Sequence, residues 1–288
     1  MRLSRRQIVL LLVVLVLAAF IGLGSPTRNH DNLVFEGFDA VCLPGEEVDV
    51  SAMLERRDRF GMRKRIPGVP VMFHHEGRFL GGATTDAEGI ATLAFATSEP
   101  GYYEVEARIE SPDLGSLRTS SLVAAMSDDD HILVVDVDHT LAAKPGLADS
   151  LLGNYENLEP VDGAREALEN LYKDYQFFYL TERSDRHIGT TERWLRHYGF
   201  PPGPIHFKVG SFLVRGTDHR KRRLLELKQK WPGVQLGIGD SAADAELFLS
   251  CGMRAFILDE DSGSSLLPTG ADNIRDWEEL VYLVRRDF

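Results

Sequence analysis

The stretch ILVVDVDHT, residues 132–140, decides the fold. Ile132 to Val137 is a short continuous apolar run broken only by Asp136, the pattern of a strand buried on both faces of a sheet. Its exit carries two carboxylates two residues apart, Asp136 and Asp138, followed by His139 and Thr140. Such a pair at a strand end can face one crevice, where a divalent cation offsets their repulsion.

Working outward, Ser127-Asp128-Asp129-Asp130 is an acidic break, and after it strands and helices alternate. Five apolar runs (ILVVDV, QFFYL, IHFK, VQLGI, RAFIL) read as strands. GAREALENLY, HIGTTERWLRHYG, HRKRRLLELKQKW, AADAELFLSC and IRDWEELVYLV read as helices. This predicts a Rossmann-like α/β domain with a parallel sheet over 127–288, with ligands at the carboxyl ends of the strands. The second strand, Gln176 to Leu180, ends in Thr181. The fourth, Val234 to Ile238, ends in Gly239-Asp240-Ser241-Ala242-Ala243-Asp244. The helix from Asp218 to Lys230 offers Lys221, with Lys208 and Lys228 as competitors. Carboxylates, a hydroxyl and an amine at converging strand ends form the inventory for Mg²⁺-assisted phosphoryl transfer.

The sequence of DxDxT, strand-Thr, Lys and GDxxxD resembles the haloacid dehalogenase-like phosphatases over about Asp130 to Phe288. Within that span, FFYLTERSDRHIGTTERWLRHYGFPPGPIHFK and HRKRRLLELKQKWPGVQLGIGDSAAD look most like the catalytic domains of lipin and the actin-patch phosphatidate phosphatases. The resemblance implies an Mg²⁺-dependent phosphatase working through an aspartyl-phosphate. It departs from the lipid phosphatases in having His139 where Gly or Asp is usual; the four-residue spacing of Asp240 and Asp244 follows the general superfamily, whereas the actin-patch family has one residue more.

Carried over, the resemblance implies that Asp136, at an ordinary pKa of about 3.9, is the nucleophile. Asp138 is the proton donor, its pKa raised by crowding carboxylates and partial burial. Mg²⁺ is held by Asp136, the Asp138 backbone, Asp240 and Asp244; Thr181 and Lys221 hold the phosphate oxygens; Thr140, the last residue of the first motif, binds substrate. Arg183 reads as a loop residue within reach of a substrate phosphate. Two of these residues have structural readings as well: Ser241 to Asp244 fits a capping box, and Lys221 sits in a cationic run that is ordinarily a solvated helix face. The intervals from Thr140 to Thr181 and from Thr181 to Lys221 leave no room for a cap domain, which predicts an open crevice for a bulky phosphoester. A lipid such as phosphatidate is favoured. A polynucleotide 3′-phosphate, a phosphoprotein, or a role as a non-catalytic binding module are the alternatives.

Upstream, residues 31–126 read as short alternating strands: VDVSAML, VPVMFHH, ATLAFAT, YYEVEARI and RTSSLVAA. Turn signals at Asp86-Ala87-Glu88-Gly89 and Pro100-Gly101 separate them, predicting a small antiparallel sandwich. TTDAEGIATLAFATSEPGYYEVEA resembles bacterial immunoglobulin-like modules, which implies a fold and no chemistry. His74 and His75, adjacent on a strand, point to opposite faces and are poorly placed to share a metal.

Residues 1–30 carry four arginines and no acid; Ile8 to Gly24 is uncharged and apolar. This predicts a single-pass signal anchor, or alternatively a cleaved signal peptide. The arginines Arg2, Arg5 and Arg6 put the bulk of the chain on the extracytoplasmic side. With 32 basic and 44 acidic residues the 288-residue chain has a net charge of −12, leaving −12 − 4 = −16 on the remainder. That balance disfavours broad electrostatic grasp of nucleic acid. Cys42 and Cys251 alone cannot build a disulfide framework or a cysteine zinc site.

Overall fold

The computed structural model describes residues 32–58, 62–144, 155–208, 218–258 and 267–287. The apolar segment Ile8–Gly24 lies outside them. Among the described residues no helix is long and apolar enough to cross a membrane.

Among the described residues nine strands precede the DxD motif: β1 Leu33–Phe38, β2 Ala40–Cys42, β3 Glu47–Arg57, β4 Arg63–Arg65, β5 Pro70–His75, β6 Arg78–Thr84, β7 Ile90–Ala96, β8 Gly101–Ser111 and β9 Gly115–Ala125. In β8 every second residue, Val105, Ala107 and Ile109, is buried, the period expected of a strand with one covered face. One sheet is built on β3, which pairs antiparallel with β1, β4 and β7; the other runs β2-β9-β8-β5-β6. Side chains such as Leu54, Val71, Phe73, Val105 and Val123 fill the space between them.

The expectation of a purely antiparallel sandwich needs one correction, because β2 pairs parallel with β9. The cause is local. β1 and β2 are separated by Asp39 alone but belong to different sheets, so the chain crosses over without reversing. Elsewhere the turns follow their chemistry. Between β5 and β6, Glu76 and Gly77 both take positive φ (48° and 77°), as a two-residue hairpin requires. At the 86–89 turn, the Asp86 carboxylate accepts from the amides of Glu88 and Ile90, each at 2.9 Å. His74 packs on Phe79, and His75 on Phe95 and Tyr103.

The remaining strands are β10 Ile132–Asp136, β11 Gln176–Ser184, β12 Ile205–Lys208, β13 Val234–Gly239, β14 Arg254–Leu258 and β15 Ala271–Ile274. The helices are α1 Ala164–Leu171, α2 Ile188–His197, α3 Asp218–Lys230, α4 Ala242–Ser250 and α5 Trp277–Asp287. Among the described residues these six strands are all parallel, in the order β12-β11-β10-β13-β14-β15. This is a doubly wound sheet with its switch point between β10 and β13. Five strands were expected; β15, the sequence ADNI, is a short edge strand whose polar residues hide it from an apolar-run reading.

Alternation along β10 explains the two layers. Leu133 and Val135 face a cluster with Leu168, Trp194 and Leu280, whereas Ile132 and Val134 face one with Leu224, Trp231 and Phe248. The second cluster does not stop at the sheet. It takes in Val41, Ala124 and Met126 of the sandwich, and the Trp231 indole donates to the Met126 carbonyl at 3.1 Å. Polar ties join the same seam: the two Asp39 oxygens accept from Leu122 N at 2.7 Å and from Ile205 N at 2.9 Å, and Tyr102 OH donates to Gln176 at 2.6 Å.

Candidate active site

The crevice lies where β10 and β13 adjoin. β10 delivers Asp136, and the loop beyond it is held tight by amides of Leu141 and Ala142 donating to the Val137 carbonyl at 3.1 and 3.0 Å. Within this loop His139 adopts φ +66°, a left-handed conformation costing a non-glycine residue roughly 1 kcal/mol or more. A left-handed φ is one that Gly, and to a lesser degree Asp, the two residues usual at this slot in the lipid phosphatases, adopt more readily than most others. β13 ends at Gly239, where an added Cβ would sit 2.6 Å from Asp244 Cβ; the missing side chain lets Asp244 fold back over the strand end.

One carboxylate oxygen from each of Asp136, Asp240 and Asp244 lies within 4.8 Å of the others. Asp136 and Asp244 are buried, and Asp240 stands at the mouth, with His139 Nδ1 3.7 Å from its Oδ2. The Thr140 hydroxyl, fully buried, donates to Asp136 Oδ2 at 3.2 Å, so it orients the carboxylate. Asp244 has two tasks. Its backbone amide donates to the Ser241 hydroxyl at 3.2 Å, which in turn donates to the Asp244 carboxylate at 2.5 Å, so the helix cap and the acid cluster share one residue.

Asp138 stands apart from this trio. The Thr181 hydroxyl donates to its Oδ2 at 2.6 Å and Arg183 Nε to its Oδ1 at 2.7 Å. Its oxygens are thus taken up by a hydroxyl and a guanidinium instead of being crowded by carboxylates alone. Arg183 corrects a second expectation: it lies within β11, only 4% exposed, and its Nη1 also donates to Thr191 on α2 at 3.0 Å.

The third correction concerns the cation. Arg220, not Lys221, reaches the acids: its Nη1 donates to Asp244 Oδ1 at 3.0 Å and lies 3.7 Å from Asp136 Oδ1. Its Nε pairs with Glu182 Oε1 at 2.8 Å, and Glu182 also faces Lys208 at 4.0 Å. Lys221, the next residue on α3, is turned toward Cys251, whose thiol points at the Lys221 carbonyl and feels the lysine's charge. Adjacent helical positions differ by about 100° in direction, so only one of the pair can face the crevice. Lys228 bonds the Gly252 carbonyl at 2.8 Å. The sequence signal for Arg220 was its place in the same cationic run.

The acids are electrostatically uncomfortable as they stand. Burial first, then Asp244, Asp138 and Asp240, push the Asp136 carboxyl well above the usual carboxylate range, against the opposing pull of Arg220. This overturns the expectation of an ordinary pKa there. Burial and Asp244 raise Asp240 to about 6, with His139 and Lys144 opposing. Three converging carboxylate oxygens, without a sulfur or imidazole among them, suit a hard divalent cation such as Mg²⁺, whose charge would reverse both shifts.

No family model matches the chain, and no curated protein does. Haloacid dehalogenase-like hydrolases are among the solved structures it resembles. One is YfnB of Bacillus subtilis, solved bound to magnesium, at 16% identity and a TM-score of 0.39, covering 54% of this chain and 99% of that one. A chain of the Pnkp1/Rnl/Hen1 complex matches at 16% identity and a TM-score of 0.39 over 45% of this chain, but this covers only 46% of that chain's own length. The CARDB domain of a Pyrococcus furiosus protein, in complex with two metal ions, matches 35% of this chain and 98% of its own at 14% identity and a TM-score of 0.25. These likenesses are partial, and the chemistry of the site stands on its own side chains.

Proposed function

We propose that the chain is an Mg²⁺-dependent phosphomonoester hydrolase of the haloacid dehalogenase-like type. The observation carrying this reading is the division of acids at the switch point: three converge within 4.8 Å, while Asp138 is held separately by Thr181 and Arg183. Asp136, Asp240 and Asp244 would hold the cation, which supplies charge neutralisation for nucleophile and phosphate together.

The chain's own groups supply the rest. Thr140 fixes the Asp136 carboxylate, and one Asp136 oxygen forms a bond to phosphorus as the bond from phosphorus to the leaving oxygen breaks. Asp138, which must enter this step as the carboxylic acid while still accepting from Thr181 and Arg183, gives its proton to that oxygen and leaves as the carboxylate. In the second half, Asp138 takes a proton from water as the water oxygen attacks phosphorus, freeing phosphate and the Asp136 carboxylate. Arg220 balances charge beside Asp136 and Asp244 and is the cation that reaches these acids, where the sequence predicts Lys221 holding phosphate oxygens. Thr181, whose hydroxyl donates a hydrogen bond to Asp138 and keeps its proton, aligns the proton donor.

The lipid reading goes with this: phosphatidate at a membrane surface, with residues 8–24 tethering the chain and the domains on the extracytoplasmic side. It is supported by the sequence of those residues and by the resemblance to lipin. The two-sheet sandwich is in keeping with an immunoglobulin-like module that docks or spaces the enzyme. The test is phosphate release, with and without Mg²⁺, over phosphatidate in mixed micelles, glycerol phosphate, nucleotides and 3′-phosphorylated oligonucleotides, using Asp136→Asn as the blank. Mg²⁺-dependent release from at least one ester is expected; release unchanged in excess chelator would overturn the metal role.

A further inference from the structure

Away from the acid crevice, the seam between the sandwich and α2 opens a second cleft of about 380 Å³. Four arginines line it: Arg57 at the end of β3, Arg118 on β9, and Arg193 and Arg196 on α2. On a chain of net charge −12 such a gathering of one sign is unusual. The acids in the cleft are Glu36 and Glu192. Glu36 accepts the amide of Gly189, in the first turn of α2, at 3.1 Å, and a Cβ at Gly189 would lie 2.9 Å from it. An oxyanion is thus already accommodated at this helix start.

Burial raises the Glu192 carboxyl pKa to about 8, with Asp39 and Glu36 adding, so at neutral pH Glu192 offsets little of the arginine charge; burial also raises Glu36, with Arg63, the Gly189 amide, Arg193 and Arg57 opposing. Arg118 and Arg193 reach Glu106 (3.4 Å) and Glu156 (2.5 Å), but these pairs are solvent-exposed and of the weak kind that a phosphate can displace.

Helix α2 links the cleft to the proposed catalytic groups. Thr191, next to Glu192, receives the Arg183 guanidinium that also binds Asp138. His187, just before α2, is held below its ordinary pKa by burial and then by Arg183, Arg63 and Arg57, with Asp138 opposing. One residue therefore feels both the cleft arginine Arg57 and the crevice acid Asp138.

We infer that this cleft is a binding subsite for a second phosphate-type oxyanion, a monoester or a diester, carried by the same substrate as the phosphate that Asp136 attacks. The inference rests on the phosphatase reading for its second half only, because binding can be read without turnover. Guanidinium groups suit such a ligand through paired, charge-assisted hydrogen bonds. The cleft's concave, polar form fits a discrete anionic group better than it fits a bilayer plane.

The test has two arms. In the first, inorganic tripolyphosphate is titrated calorimetrically into the full chain carrying Asp136→Asn, without divalent cations. Adding Arg57→Gln and Arg196→Gln together should weaken binding by about tenfold or more, whereas Arg286→Gln, outside the cleft, should not change it. Thermal melts confirm that each variant is folded. Equal affinity in the folded double variant, or no binding by the parent, overturns the subsite.

In the second arm, the native chain is offered butyl phosphate, butanediol bisphosphate, and the analogue whose far end is a methyl phosphodiester. A lower KM for the bisphosphate alone identifies a monoester partner, a lower KM for both identifies a phosphodiester as sufficient, and equal KM for all three refutes a substrate role. Absence of turnover on every ester, with tripolyphosphate binding intact, refutes the phosphatase reading and leaves the anion cleft.

Discussion

In the parallel sheet, Asp136 and Asp240 meet because two neighbouring strands end side by side, and the crevice so formed is crowded with negative charge. In the seam beside the sandwich, Arg57, Arg118, Arg193 and Arg196 meet because β3, β9 and α2, distant in sequence, pack together, and that cleft is crowded with positive charge. The contrast is one of construction. A buried parallel sheet sends its strand-end residues to one place, so register alone positions the chemistry; a two-sheet module gathers charge only through its docking. The acid crevice suits a cation and the arginine cleft an anion, and the proposed substrate, with a metal at one phosphate and a second oxyanion in the cleft, would meet both demands.

The severest test of the acid crevice is Asp136→Asn. The amide keeps the shape and the Thr140 contact but cannot form the acyl-phosphate, so phosphate release should fall roughly a thousandfold or more, about 4 kcal/mol in barrier. Beryllium fluoride should inhibit the parent and not the variant. Survival of most activity would mean that the crowded acids serve something other than nucleophilic chemistry.

The seam is tested next. Trp231 is fully buried, belongs to the cluster spanning both domains, and satisfies the Met126 carbonyl. Trp231→Ala should destabilise the protein by about 3–5 kcal/mol, through the void and the orphaned carbonyl. Because the cluster is shared, sandwich and parallel-sheet domain should lose stability together in denaturant melts. If only the parallel-sheet domain weakens, the two regions are less coupled than the shared core implies.

Much of this construction was open to reading in the sequence, and what escaped has physical causes. Asp136, Asp138, Asp240 and Asp244 stand at the exits of apolar runs, so their location follows once those runs are taken as strands. Arg220 escaped because helix phase within a run of four cations cannot be told from the run itself; only the packing of Leu224 and Leu227 into the core fixes it. Arg183 escaped because β11 continues beyond its apolar portion to Ser184. The arginine cleft has no linear pattern at all, and β2, three residues crossing between sheets, carries too little sequence to reveal its direction.

Arg220 supplies the third test. Removing it leaves Asp136 and Asp244 without their guanidinium partner, so Arg220→Gln should lower turnover by about a hundredfold, whereas Lys221→Gln should stay within about twofold of the parent. Phosphate-release rates at saturating Mg²⁺ decide between them. The reverse ranking would return the cationic role to Lys221.

The smallest effect is also the most direct comparison of the two regions, because both hold acids whose folded pKa exceeds the ordinary value. Asp240 is raised to about 6 by burial and Asp244; Asp39, in the seam, is raised to about 6 by burial, and Glu192 to about 8 by burial with Asp39 adding. A carboxyl with a raised folded pKa binds its proton more tightly in the folded state. Its contribution to stability is therefore greatest below the ordinary pKa, declines as pH rises toward the folded value, and levels off above it. For Asp240 the decline runs from 3.8 to about 6, and for Glu192 from 4.5 to about 8. In metal-free protein, Asp240→Asn and Asp39→Asn should each flatten part of the slope of melting temperature against pH. Saturating Mg²⁺ should separate them, since a cation among Asp136, Asp240 and Asp244 stabilises the ionised crevice and leaves the seam as it was. With Mg²⁺ the crevice share of the slope should vanish or change sign, while the share lost in Asp39→Asn persists. If Mg²⁺ leaves the parent's pH profile unchanged, the three carboxylates do not hold the cation. If it removes the seam's share as well, the metal acts on the whole fold and not at the strand ends.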